Sequence, residues 1–115
     1  MKTSELTCAA LDWAAAKCEG YQSVYTNGSL CPVFRKCEAV EATWPSYSTD
    51  WSQGGPIIER EGITLERFKN SNKWSAFMFS TGDCEMSCDT PLIAAMRCYV
   101  ASKLGDNIDI PKELL

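Results

Sequence analysis

A chain of 115 residues holds surface and volume for one core, which excludes a two-domain arrangement. Its apolar content of 45%, with four Trp, four Tyr and four Phe beside a charged fraction of 23%, is that of a globular protein and excludes wholesale disorder. The net charge of −4, with basic residues scattered rather than massed, gives a polyanion no electrostatic footprint, so no nucleic-acid partner is expected.

In chain order, residues 4 to 19 predict a helix: Thr3 or Ser4 can cap it, Ala is abundant, and Gly20 is placed to end it. Leu6, Ala9, Ala10, Trp13 and Ala16 fall on one stripe, leaving Glu5, Asp12, Lys17 and Glu19 for water. A strand is expected within Val33 to Val40, where Arg35, Lys36 and Glu38 suit an edge. Pro56 to Gly62 reads as a short helix opened by the proline and stopped by the glycine, with a strand lead-in as the alternative. Ile63 to Phe68 alternates apolar and polar residues, and Trp74 to Phe79 is short and aromatic-rich. Both read as strands, joined by Lys69-Asn70-Ser71-Asn72-Lys73. A last helix has Thr90 as cap, Pro91 at its first position and Gly105 past its end. Its seam of Leu92, Met96, Tyr99, Val100 and Lys103 is widened by Ile93 and Leu104.

The expected fold is therefore α+β: a small antiparallel sheet of about three strands packed against an N-terminal and a C-terminal helix. Its order is helix, strand, short helix, two hairpin strands, helix. Residues 1–105 form the expected single domain. Residues 106–115 read as a C-terminal tail that Ile108, Ile110 and Leu114 would pin to the body.

Three blocks resemble the NinX-like family of lambdoid phages and prophages. They are Lys2-Thr3-Ser4-Glu5-Leu6-Thr7 running into Ala10-Leu11-Asp12-Trp13-Ala14; Tyr47-Ser48-Thr49-Asp50-Trp51-Ser52-Gln53-Gly54-Gly55-Pro56-Ile57-Ile58-Glu59-Arg60-Glu61; and Asp89 to Gly105. Cys8 and Cys88 stand where that resemblance leads one to expect glycine. The resemblance implies a phage accessory protein of unsettled activity, made in the bacterial host cytoplasm and acting on a host component or signal. It implies no catalytic residues.

The stretch from Trp44 to Pro56 is the candidate site, because it combines aromatic plates, short hydroxyls, a carboxylate, an amide and two permissive glycines in what reads as a loop. Tyr47 and Trp51, with Trp44, would stack on a flat ring. Ser48, Thr49, Asp50 and Gln53 would exchange hydrogen bonds, and Gly54 and Gly55 would bring backbone N–H groups to an anion. Arg60 would add a guanidinium for a phosphate or carboxylate, unless Glu59 and Glu61 take up such arginines on the surface. The alternative is that Tyr47 and Trp51 cap the core and Asp50 closes a local turn.

The expected function is a non-catalytic binding module that captures a small host-derived, nucleotide-like ligand in counter-defence. The alternative is a factor that docks a host or phage protein through the same aromatics. Self-association into a homo-oligomer is a further expectation.

Enzymatic chemistry is not expected. The absence of histidine removes Ser–His and Cys–His pairs, and neither a phosphate-binding GxxxxGK loop nor a GxGxxG turn occurs. The seven cysteines are odd in number and accompanied by no export signal, so they read as mostly reduced thiols. Cys31, Cys37, Cys84 and Cys88 lack the tight knuckle spacing of a zinc site, so neither metal nor cofactor is expected. No run of about 18 apolar residues is present to span a bilayer, and no membrane partner is expected.

Overall fold

The computed structural model describes residues 2–26, 29–36, 39–41, 45–82, 84–111 and 114. A 3-10 turn, Thr3–Glu5, comes first, followed by α1 (Cys8–Cys18). The helix expected from residue 4 thus starts later, because Thr3 is used elsewhere. Its hydroxyl donates to the Gly105 carbonyl at 2.6 Å and its backbone N–H to the Asp106 carbonyl at 2.8 Å, while Lys2 bridges Asn107. A long-range tie has displaced a local cap. Along α1, Ala10, Leu11, Trp13, Ala14, Ala15 and Ala16 are all buried, so the helix is enclosed around most of its circumference. Asp12, expected in water, is only 6% exposed.

Strands β1 (Gln22–Thr26), β2 (Ser29–Lys36) and β3 (Ala39–Glu41) form one antiparallel sheet in the order β1-β2-β3. Arg35 pairs with Gln22 on one side and Val40 on the other. The strand expected as an edge within Val33 to Val40 is therefore split between a central strand and its neighbour.

Next, α2 (Trp51–Glu61) begins five residues before the short helix expected at Pro56, so much of the expected loop is helical. Gly and Pro inside a helix cost about 1 and about 3 kcal/mol relative to Ala, so Gly54, Gly55 and Pro56 argue against a helix on propensity alone. Tertiary seating outweighs that cost. A Cβ on Gly54 would stand 2.5 Å from the Tyr47 carbonyl oxygen and 2.6 Å from Leu92 Cδ2, so this close approach requires glycine. Gly62 ends the helix as expected, and at φ +66° it does so in the left-handed region that favours glycine.

Strands β4 (Ile63–Arg67), β5 (Trp74–Met78) and β6 (Cys84–Cys88) make the second antiparallel sheet, in the order β4-β5-β6. The hairpin runs from Ile63 opposite Met78 to Arg67 opposite Trp74, within a residue of its expected limits. Ile63, Ala76 and Met78 are buried, while Phe79 is 79% exposed just past β5.

Finally, α3 (Pro91–Leu104) opens where Thr90 Oγ1 accepts the Ile93 N–H at 3.1 Å, with Pro91 in the first turn. Leu92, Met96, Tyr99 and Val100 of the expected seam are buried, and so are Ala94, Ala95, Cys98 and Ala101. This helix packs on β4, β5, β6, α1, α2 and the 3-10 turn. The architecture is α+β, with an antiparallel sheet covered by helices as expected, but the strand expected within Val33 to Val40 lies in the other sheet and β6 takes the third place beside the hairpin. The β1-β2-β3 sheet and the added strand β6 had not been expected. Beyond α3, Ile108 is buried, and Ile110 and Leu114 pack against the core. Among the described residues no helix is long and apolar enough to cross a membrane.

Leu11 is fully buried. Leu11→Ala should cost about 2–5 kcal/mol, seen as a lower urea midpoint with an unchanged slope.

Candidate functional site

The turn before α2 is built by its own polar groups. Thr49 N–H and Asp50 N–H both donate to the Ser46 carbonyl, at 3.2 and 2.8 Å. Asp50 then caps α2: its Oδ1 accepts from Ser52 N–H at 2.9 Å and Ser52 Oγ at 2.7 Å, and its Oδ2 accepts from Gln53 Nε2 at 3.4 Å. The bonds from the Ser52 side chain and backbone hold the Asp50 carboxyl below its ordinary range. Gln53 Oε1 in turn accepts from Ser46 N–H at 2.8 Å. Asp50 and Gln53 thus serve the helix start, which is the local role weighed for Asp50 from the sequence.

Tyr47, Ser48, Thr49, Asp50, Trp51, Gln53, Gly54 and Gly55 are brought together in this turn and the first turns of α2. Their surroundings differ. Tyr47 is half-buried against the core and Ser48 is buried, while Thr49 is exposed. Gly54 is buried and its N–H donates to the Asp50 carbonyl at 2.9 Å, so the amide expected to meet an anion is taken up inside the helix. At Gly55 an added Cβ would meet nothing within 4 Å. Trp51 stands 53% exposed at the first helical position. Trp44 lies outside the described residues.

Arg60 is not part of this group. It sits nine residues beyond Trp51 along α2, about 13 Å away at the helical rise of ~1.5 Å per residue. There it forks onto Glu19, with Nη1 to Oε1 at 3.0 Å and Nη2 to Oε2 at 2.7 Å, and donates to Glu61 through Nε at 3.1 Å. Its Nη2 also donates to the Tyr99 hydroxyl at 3.2 Å, and that hydroxyl donates to Glu19 Oε2 at 2.6 Å. Lys103 pairs with Glu61 at 3.2 Å. The surface pairing foreseen for Glu61 is therefore realised, and it binds the ends of α1 and α2 to α3. Burial, then the bond to Glu19, pushes the Tyr99 hydroxyl far up. Glu61 is held low by Arg60 and Lys103 despite its burial. Arg67, in β4, donates to Asn72 Oδ1 at 2.9 Å.

Asp12 had not been singled out. From α1 its Oδ1 accepts the Ser48 N–H at 2.8 Å, across 36 residues of sequence. The Ser48 hydroxyl is buried near the same carboxylate without hydrogen-bonding geometry. An acid in a stretch where every neighbour is Leu, Trp or Ala is the signal that pointed there. The rule assigning charges to the wet face of a helix hid it.

Among the described residues no three Cys, Asp or Glu side chains gather to hold a metal ion. The Cys31, Cys37 and Cys84 side chains lie outside the described ones. Cys18, Cys88 and Cys98 carry reduced thiols. Burial first, and Glu19 next, push the Cys18 thiol up to about 12, so it is protonated and unreactive at neutral pH. Iodoacetamide near pH 8 should therefore modify Cys18 in the folded chain at least about a hundredfold more slowly than a free thiol, as read by site-resolved mass spectrometry.

Burial also raises the Asp12 carboxyl, with the Ser48 side chain and backbone opposing it. A folded-state value above the unfolded one makes the carboxylate's contribution more favourable as pH falls through that raised value. Asp12→Asn keeps the Oδ1 acceptor and carries no charge. Its melting temperature should match or exceed that of the unmodified chain near pH 7, and the margin should shrink near pH 4.

The model of the family described as Bacteriophage P22, NinX matches residues 2–103. That span takes in α1, both sheets, the turn before α2 and nearly all of α3. A search of curated proteins finds no match to the chain. The chain belongs to the bacteriophage P22 NinX family.

Proposed function

We propose that this phage protein is a non-catalytic docking factor that engages a protein of the host or the phage through the exposed start of α2, in the cytoplasm of the bacterial host. The observation that carries this reading is Trp51. It is a large aromatic side chain, half exposed, on a helix that is seated on the core through Gly54 and Ile57. Exposed tryptophans on rigid supports make effective interface anchors, because they bury much area with little loss of rotamer freedom. Beside Trp51, the outward face of α2 carries Ser52, Gly55, Pro56 and Glu59, which leave room for a partner to come close to the helix backbone.

Capture of a small nucleotide-like ligand draws less support. Trp51 would serve it as a stacking plate, but Asp50, Gln53 and the Gly54 amide are engaged in the helix start, and Arg60 is clamped at the far end. Counter-defence remains compatible with docking, since blocking a host protein opposes a defence as well as sequestering its signal does.

Tagged protein recovered from infected cells should carry a stoichiometric polypeptide, and Trp51→Ala should weaken that association about tenfold or more. Undiminished recovery by Trp51→Ala would refute the proposal. So would release of a small molecule on denaturation with no polypeptide present. A mass that doubles with concentration, lost in the same variant, would identify the partner as a second copy.

A further inference from the structure

Trp51 faces outward, yet the backbone that carries it is fastened inward to two other helices. On one side Gly54 seats against Leu92 of α3, with no room for a Cβ. On the other, the Ser48 N–H donates to Asp12 of α1. Between them the turn is closed by the Thr49 and Asp50 amides on the Ser46 carbonyl and by the Ser46 amide on Gln53. Ser48 is 2% exposed, so its amide has no access to water as a substitute acceptor.

A carboxylate is a costly group with which to satisfy one buried amide. Asp12 is flanked by Leu11 and Trp13, both buried, and taking its charge out of water opposes folding. What it contributes is placement, because an acceptor at this point of α1 fixes where the next segment of backbone lies.

We propose that Asp12 is a positioning residue for the docking face: from α1 it holds the Ser48 amide and so fixes where the turn 46–50 sets Trp51. Its consequence for partner binding rests on the docking reading above, whereas the latch itself is a property of the isolated chain.

Amide-resolved hydrogen exchange and the indole N–H resonance of Trp51, both by nuclear magnetic resonance, test the latch without any partner. In the unmodified chain the Ser48 amide should exchange as slowly as the amides of α1, and rapid exchange there would overturn the proposal even if no variant folds. Asp12→Ala should speed Ser48 exchange about tenfold or more and shift the Trp51 indole resonance, with the amides of β4 and β5 unchanged. Asp12→Asn should leave both signals near those of the unmodified chain. The latch is wrong if Asp12→Ala leaves Ser48 and Trp51 unaltered, or if Asp12→Asn disturbs them as much as Asp12→Ala does. With a partner in hand, Asp12→Ala should weaken its recovery and Asp12→Asn should not. If Trp51→Ala has no effect on recovery while the exchange results hold, the docking reading fails and the latch stands.

Discussion

The last helix has almost no wet side. Leu92, Ala94, Ala95, Met96, Cys98, Tyr99, Val100 and Ala101 of α3 are all buried, so a cylinder about 10 Å across must be enclosed from several directions at once. The sheet β4-β5-β6 supplies one wall, α1 and α2 supply others, and the N-terminal turn closes an end. The alanines of α1 and α3 keep these walls thin. Removing small side chains from such a place gains little room, and adding large ones forces strain, so the alanine content is itself a packing constraint.

That enclosure explains which elements could be read in advance. The start and stop of α3 were legible because Thr90, Pro91 and Gly105 act through nearest-neighbour chemistry that no tertiary contact overrides. The β4-β5 hairpin was legible for the same reason, through alternation and a polar connection. At the other end of the chain Thr3 would have been a good cap, but it bonds to Gly105 instead, and no local rule records a partner 102 residues away. The helical run through Gly54-Gly55-Pro56 was hidden because propensity opposes it and only Tyr47 and Leu92 explain it. Asp12 was misassigned because a helix enclosed on most sides leaves no face on which charge is safe to predict.

The segment from Trp44 to Pro56, read from the sequence as a loop, runs from Trp51 onward as the start of a helix. Its aromatic and polar composition singled it out, yet most of its hydrogen-bonding capacity turns inward. Asp50 and Gln53 organise the beginning of α2, and Ser48 is held from α1. What faces out is mainly surface area: one indole, the Thr49 and Ser52 hydroxyls and a stretch of nearly bare helix. Such a surface offers shape and apolar area more than a hydrogen-bond pattern.

The contact of Lys2 and Thr3 with Asp106 and Asn107 turns most of the chain into a near-closed ring. Joining positions so distant in sequence carries a large entropic cost while the intervening chain is disordered, and a small one after α1 and α3 are docked side by side. The closure is therefore expected late in folding. Among the described elements, the enclosed α3 should be the last to exchange with solvent.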